Sequence, residues 1–274
     1  MQHSSDVDQI VHASWIIPIQ PVADVLCDHA IALAGERIAE LLPSSAARQK
    51  YANVEALELQ GHALIPGLVN AHTHAAMSLF KGMADDLPLM TWLNDHIWPA
   101  ESRWVSEAFV REGTRLAAAE MLLGGTTCFN DMYFFPVDAA LAAQETGIRV
   151  MAGLIVLDFP TVWAGRADEY LSKAIQTHDR LRDTERVYTA FAPHAPYTVS
   201  DEPLARIRTL ADELDIPVHI HLHETRFEVE EAQGQTGQRP LKRMQNLGLL
   251  SDRLLAVHMT QLDEAEIEAV AVAG

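Results

Sequence analysis

The stretch Pro66-Gly67-Leu68-Val69-Asn70-Ala71-His72-Thr73-His74 decides how the rest of the chain is read. An apolar run, Ala63-Leu64-Ile65 to Val69, delivers two histidines two positions apart. In a β-strand, residues i and i+2 share a face, so the His72 and His74 imidazoles can converge on one point. That is half of a metal site, and imidazole suits zinc, iron or nickel. Taken alone, the motif also fits two histidines in a surface loop.

Upstream, residues to about Gly61 read as short strands and turns. Ile10–Ile17 is one strand, His29–Ala34 and Arg37–Leu42 flank Gly35-Glu36 as a hairpin, and Glu55–Gln60 is a further short strand. This predicts the N-terminal part of a small β-sandwich domain over residues 1–62. From Ala63 the rhythm becomes strand, helix, strand, helix. Expected strands are 63–70, 126–131, 149–156, 187–193, 217–223 and 254–259. Helical spacing runs over Ser106–Leu123, closed by Gly124-Gly125, and over Ala167–Leu181, Glu202–Leu214 and Gly237–Leu247. Asp201 and Asp263 are N-cap candidates. Mostly apolar strands alternating with helices predict a parallel sheet covered on both faces. The segment 75–100 is too long for an ordinary βα loop, which marks it as functional.

The composition narrows the partners. The 274 residues are 49% hydrophobic, enough for a sizeable core, and the net charge is -18, which argues against nucleic acid and anionic membrane. No apolar run reaches the ~18 residues of a membrane span. Met1-Gln2-His3-Ser4-Ser5-Asp6 does not read as a signal peptide. Cys27 and Cys128, the two cysteines, suggest a reducing cytoplasm rather than a disulfide framework.

Ionisable residues gather at the expected C-terminal strand ends: His72 and His74, Asn130-Asp131, His194, Val218-His219-Ile220-His221-Leu222-His223-Glu224, and His258. In a parallel barrel that face carries the active site. His219, His221 and His223 alternate, so one face of their strand holds all three. They read either as a polar stripe in the interior or as one ligand with supporting neighbours, and spacing does not choose. Glu224 has the opposite parity and reaches the centre only if the strand turns there. A carboxylate beside a metal-activated water is a ready general base. Asp131 reads as a loop cap, and Glu228-Val229-Glu230-Glu231 as a solvated helix face.

These residues carry a resemblance. Pro66 through His74, His221-Leu222-His223-Glu224 and Val257-His258-Met259 resemble the amidohydrolase superfamily. Thr91-Trp92-Leu93, Trp98-Pro99-Ala100-Glu101, Gly125-Thr126-Thr127 and Pro193-His194-Ala195-Pro196-Tyr197 resemble, more closely, its branch of 5′-methylthioadenosine/S-adenosylhomocysteine deaminases. The resemblance implies a (β/α)8 barrel of the metal-dependent hydrolase type, with residues 63–274 supplying strands one to six. It implies one divalent metal, zinc or alternatively iron, on His72, His74, His221 and an Asp after the eighth strand. His258 would contact the attacking water, and Glu224 would carry its proton to the purine. Glu101 and His194 would hold ribose hydroxyls with Trp92 nearby, and Arg149 would lie near the substrate tail.

The sequence departs from that pattern by stopping at Gly274, so strands seven and eight and the Asp ligand are expected beyond it. The expected reaction is hydrolytic deamination of 5′-substituted adenosines by a cytoplasmic enzyme with a small nucleoside substrate, a homo-oligomer being left open. The alternatives are a guanine or cytosine deaminase, a triazine chlorohydrolase, or a non-catalytic metal-binding barrel. A cytidine-deaminase type of zinc site is excluded, because it needs a Cys-x-x-Cys that two distant cysteines cannot form.

Overall fold

The structure, a computed structural model, describes residues 7–21 and 24–274. The hexapeptide Met1–Asp6, read above for a signal peptide, lies outside the described residues. The chain divides into two compact units, Met1–Gly67 and Leu68–Gly274.

The first unit is a four-stranded sheet. It comprises β1 (Gln9–Ile16), β2 (Leu26–Ala34), β3 (Arg37–Pro43) and β4 (Glu55–Leu64), in the order β3-β2-β1-β4. Gly35, at φ 57°, makes the turn between β2 and β3; glycine reaches that region without a Cβ clash. Ile10, Ala30, Ala32 and Leu42 close a small core against Ala47 and Tyr51, on and just after the helix Ser44–Lys50.

One expectation is corrected here. Ala63 and Leu64, read as the start of the first barrel strand, extend β4 and pair with Trp15 and Ile16. The strand carrying His72 is β5 (Leu68–Thr73), so the junction anticipated at 62/63 falls at 67/68. Two apolar runs joined by Ile65-Pro66-Gly67 look like one run. Proline cannot donate to a ladder, which ends pairing there.

The second unit is a parallel six-stranded sheet in sequence order: β5, β6 (Thr126–Asp131), β7 (Arg149–Val156), β8 (Val187–Pro193), β9 (Val218–Leu222) and β10 (Leu254–His258). Helices occupy the crossovers, as parallel neighbours require. The sheet and its helices have the architecture of a parallel α/β barrel wall. Its core combines Leu154, Val156, Phe191, Ile220 and Leu222 from the strands with Tyr170, Leu171, Leu204 and Ile207 from the helices. The helix Pro136–Thr146 was missed from the sequence; Ala139, Ala140, Ala142 and Ala143 are all buried, so no polar face marks its period. Gly113, in the helix Glu107–Leu123, allows a close approach: a Cβ there would lie 2.4 Å from the Ala76 carbonyl oxygen. The 3₁₀ turn Ala75–Phe80, which follows His74, is thereby packed tightly against that helix.

Candidate metal and substrate site

Adjacent strand ends set the histidines side by side. The His194 amide donates to the Val156 carbonyl at 3.1 Å, and the His221 amide donates to the His194 carbonyl at 3.1 Å. This continues the sheet's ladder one step past β8. His72 lies on β5, His221 on β9 and His258 ends β10. Ring centroids stand 4.7 Å apart for His72 and His221, 4.8 Å for His72 and His74, and 5.4 Å for His221 and His258.

The donor set fits a cation. His72, His221 and His258 each offer one ligand atom, all within 4.8 Å of one another. His74 flanks them, its ring 5.2 Å from that of His221. His221 Nδ1 donates to the His194 carbonyl at 2.8 Å, which leaves its Nε2 lone pair 3.1 Å from His72 Nε2. With His72 donating through Nδ1 to His219 Nε2, 2.9 Å away, two lone pairs oppose each other. A cation between them relieves that repulsion. Two nitrogens on tetrahedral zinc stand about 3.3 Å apart, close to what is seen here. His74 Nδ1 donates to the Met132 carbonyl at 2.6 Å, so it too presents Nε2. Such outer partners fix ligand tautomer and orientation.

Burial keeps these rings neutral. It pushes His72 down to about 3, helped by the neighbouring His74, and His194 to about 3. His221 and His74 are lowered for the same first reason. Metal binding needs the neutral imidazole, which the site supplies at pH 7.

The β9 histidines, equivalent by spacing, play different parts. His219 is buried behind His72, and among the described residues its Nδ1 has no hydrogen-bond partner. His223 accepts from the Leu241 amide at 2.9 Å and bonds the Gln261 carbonyl at 3.1 Å, tying β9 to its surroundings. Burial lowers His219 to about 4. We expect His219→Ala to weaken metal affinity about 10–100-fold, the cost typical of losing an outer-shell partner, measured by competition with a chelating dye.

Glu224 reaches the cluster because the strand turns. β9 ends at Leu222, and His223 sits at φ 54°. The Glu228 carboxylate clamps that turn, accepting from the His223 amide at 3.1 Å and the Glu224 amide at 2.8 Å. Glu228 is therefore buried, which corrects its reading as part of a solvated helix face. Glu224 Oε1 stands 3.4 Å from His258 Nε2, and burial raises its carboxyl pKa. His258 and Met259 also adopt positive φ, 75° and 51°. Non-glycine residues held this way cost on the order of 1–3 kcal/mol each and concentrate at functional sites.

Beside the cluster lies a cavity of about 220 Å³. His74, His194, Trp92 and Glu101 all border it. Trp92 and Glu101 belong to the helical segment 89–104 of the β5–β6 connection, which overlaps the stretch 75–100 flagged from its length. The Tyr133 hydroxyl donates to Glu101 Oε1 at 2.7 Å, and burial pushes Glu101 up to about 7. Tyr133 was not anticipated; its position just past the end of β6 was the available signal. His194 Nδ1 is held by the Thr198 hydroxyl at 3.0 Å, which directs Nε2 elsewhere. Asp131 accepts from the Ala75 amide at 2.7 Å and so caps the turn after His74.

Arg149 is corrected. It opens β7, pairs with Cys128 and is exposed. Seven residues of strand put it roughly 23 Å from the end where His194 lies. Barrel chemistry occupies the other end. Leu93 and Ile97, from the β5–β6 connection, line the cavity.

A parallel α/β barrel wall with convergent histidines and a carboxylate at its C-terminal face defines a metal-dependent hydrolase type of site. The amidohydrolase family matches residues 63–273, and the chain belongs to that family. It is 49% identical over 267 residues to a 5-methylthioadenosine/S-adenosylhomocysteine deaminase of Saccharophagus degradans, covering 97% of this chain and 60% of that protein. A crystal structure of an adenosine deaminase from Xanthomonas campestris with bound zinc superposes with TM-score 0.90 at 49% identity, covering 98% of this chain and 61% of the other. Atrazine chlorohydrolase from Arthrobacter aurescens superposes with TM-score 0.88 at 21% identity, covering 97% and 64%, a likeness of fold. The chain spans about three-fifths of the length of the curated relatives it matches. Among the described residues, no helix is long and apolar enough to cross a membrane.

Proposed function

We propose that this chain carries the metal-holding and substrate-holding part of a cytoplasmic hydrolase that deaminates 5′-substituted adenosines to inosine analogues and ammonia. The observation that carries the proposal is the placement of Glu224 against His258 beside His72 and His221, with Glu101 and His194 on the adjoining cavity. The names of the relatives support the same reading.

His72, His74 and His221 would hold one divalent cation, with zinc favoured, and a carboxylate would complete the set. Bound there, the cation would supply Lewis-acid activation of water at neutral pH. Glu224 takes the proton from the attacking water and delivers it to the purine N1. Its raised pKa suits both transfers, since acid–base groups work best near the operating pH. His258, 3.4 Å from the Glu224 carboxylate, orients the same water. Glu101 accepts from the ribose hydroxyls, and Tyr133 fixes its carboxylate. The acidic surface disfavours nucleic acid as substrate.

Ammonia release from the zinc-loaded full-length protein over a nucleoside panel tests the function. Glu101→Ala should cost nucleosides about 10–100-fold in kcat/KM, the worth of charge-assisted hydrogen bonds, and leave any turnover of free adenine unchanged. Only ionised Glu101 accepts from two hydroxyls. Nucleoside KM should therefore fall as pH rises through about 7, and the fall should vanish in Glu101→Ala. An equal loss for nucleoside and base would remove the ribose assignment.

A further inference from the structure

Glu224 and His258 both stand on backbone that L side chains rarely adopt. Glu224 follows His223, at φ 54°, while His258 and Met259 take φ 75° and 51°. Residues with a Cβ persist there only where the surroundings over-determine the conformation. Two side chains outside the histidine cluster do so, one from each flank of the Glu224 turn.

Glu228 holds the amides. Thr225 caps the helix Arg226–Thr236, its hydroxyl accepting from the Glu228 amide at 3.2 Å. An acid at that third helical position ordinarily reaches back to the amide of the capping residue. Here it reaches further, with one carboxylate oxygen on the His223 amide and the other on the Glu224 amide. Thr260 holds the carbonyls. The ladder between β9 and β10 closes with His258 opposite Leu222. Met259 then turns the chain, its amide donating to the Leu222 carbonyl at 3.0 Å, and the Thr260 amide meets the His223 carbonyl at 3.0 Å. The Thr260 hydroxyl lies 2.8 Å from the Glu224 carbonyl and 3.1 Å from that of His223. A hydroxyl has one proton to give, and His223 is already served by the amide, so the Glu224 carbonyl is the better acceptor.

Resting on the deaminase reading, in which Glu224 carries the proton, we propose that Glu228 and Thr260 are positioning residues that hold the Glu224 carboxylate against His258. The peptide between His223 and Glu224 is fixed at its oxygen and its nitrogen, and the peptides before and after it at one end each. That sets the direction in which the Glu224 side chain leaves the backbone. Thr260, two residues past His258, clips the β10 turn to the β9 turn, so the two side chains keep one separation. Misplacing a reacting group by about 1 Å can cost on the order of 100-fold in rate.

The test compares variants of the zinc-loaded full-length protein with 5′-methylthioadenosine as substrate, with kcat expressed per zinc-loaded chain. Glu228→Gln keeps the shape but leaves one acceptor for two amides, and should lower kcat about 10–100-fold with KM and zinc content unchanged. Thr260→Val removes the hydroxyl and should lower kcat about 3–10-fold, the worth of one hydrogen bond, while Thr260→Ser restores the hydroxyl and should recover kcat to within about twofold. Crystal structures of the zinc-loaded variants give a second readout. In Glu228→Gln the Glu224 carboxylate should stand about 1 Å or more beyond its 3.4 Å from His258 Nε2. Wild-type kcat in either Glu228→Gln or Thr260→Val overturns the role of that residue. A loss in Thr260→Val that Thr260→Ser repeats, or a Glu224 carboxylate still in place in Glu228→Gln, overturns the positioning. If the unaltered protein releases no ammonia, the deaminase reading falls, and the crystal structures alone decide whether Glu228 and Thr260 hold the carboxylate.

Discussion

Glu224→Gln should keep the bound metal and lower turnover by about 10²–10⁴-fold, the range for a positioned acid–base group. The amide is nearly isosteric with the carboxylate and can still accept a hydrogen bond, so substrate affinity should change little. It cannot accept the proton from water or pass one on. The position is built, not incidental: the chain turns at His223, with φ 54°, and Glu228 holds both neighbouring amides. The checks are metal content by elemental analysis and single-turnover rates. A near-normal kcat in the variant would mean that another group moves the proton, and His258, 3.4 Å from the carboxylate, would be the first to examine.

The same residue shows what the sequence could and could not say. Parity along Val218–Glu224 put Glu224 on the wrong face of a straight strand. The remedy, a turn at the strand end, was stated as a condition and is what the backbone does. Largely apolar runs alternating with helical patterns made β6, β7, β8 and β10 legible, with bounds at most a residue off, because buried parallel strands are nearly continuous hydrophobic runs. The 63–70 run misled because strand partners are chosen by the fold: Ala63 and Leu64 pair with residues nearly fifty positions earlier. Arg149 misled for a related reason. It stands next to an apolar run, but at its entry, and which end faces the chemistry depends on strand direction in the sheet. Tyr133 and Glu228 were invisible as site elements because each acts through a contact distant in sequence or bent by a turn, with Glu101 and with the His223 and Glu224 amides.

His221→Ala should abolish metal binding and with it turnover, a larger effect than Glu224→Gln because it removes the site rather than one proton carrier. His221 is the member of its strand whose Nε2 faces His72 Nε2, at 3.1 Å, with Nδ1 fixed on the His194 carbonyl. His72 and His74 would remain, but two imidazoles two positions apart hold a divalent cation far less well than a closed tetrahedral set. His223→Ala is the informative control. It follows directly on the same strand with the same sequence spacing, yet its ring serves the Leu241 amide and the Gln261 carbonyl. Losing two buried hydrogen bonds should cost about 2–5 kcal/mol of stability, seen as a lower denaturation midpoint, while zinc per folded chain stays unchanged. Alternation along β9 makes the three histidines equivalent; the depth of each along the strand does not. If His221→Ala retained its zinc and His223→Ala released it, the site would lie one step further along the strand than the lone pairs of His72 and His221 indicate.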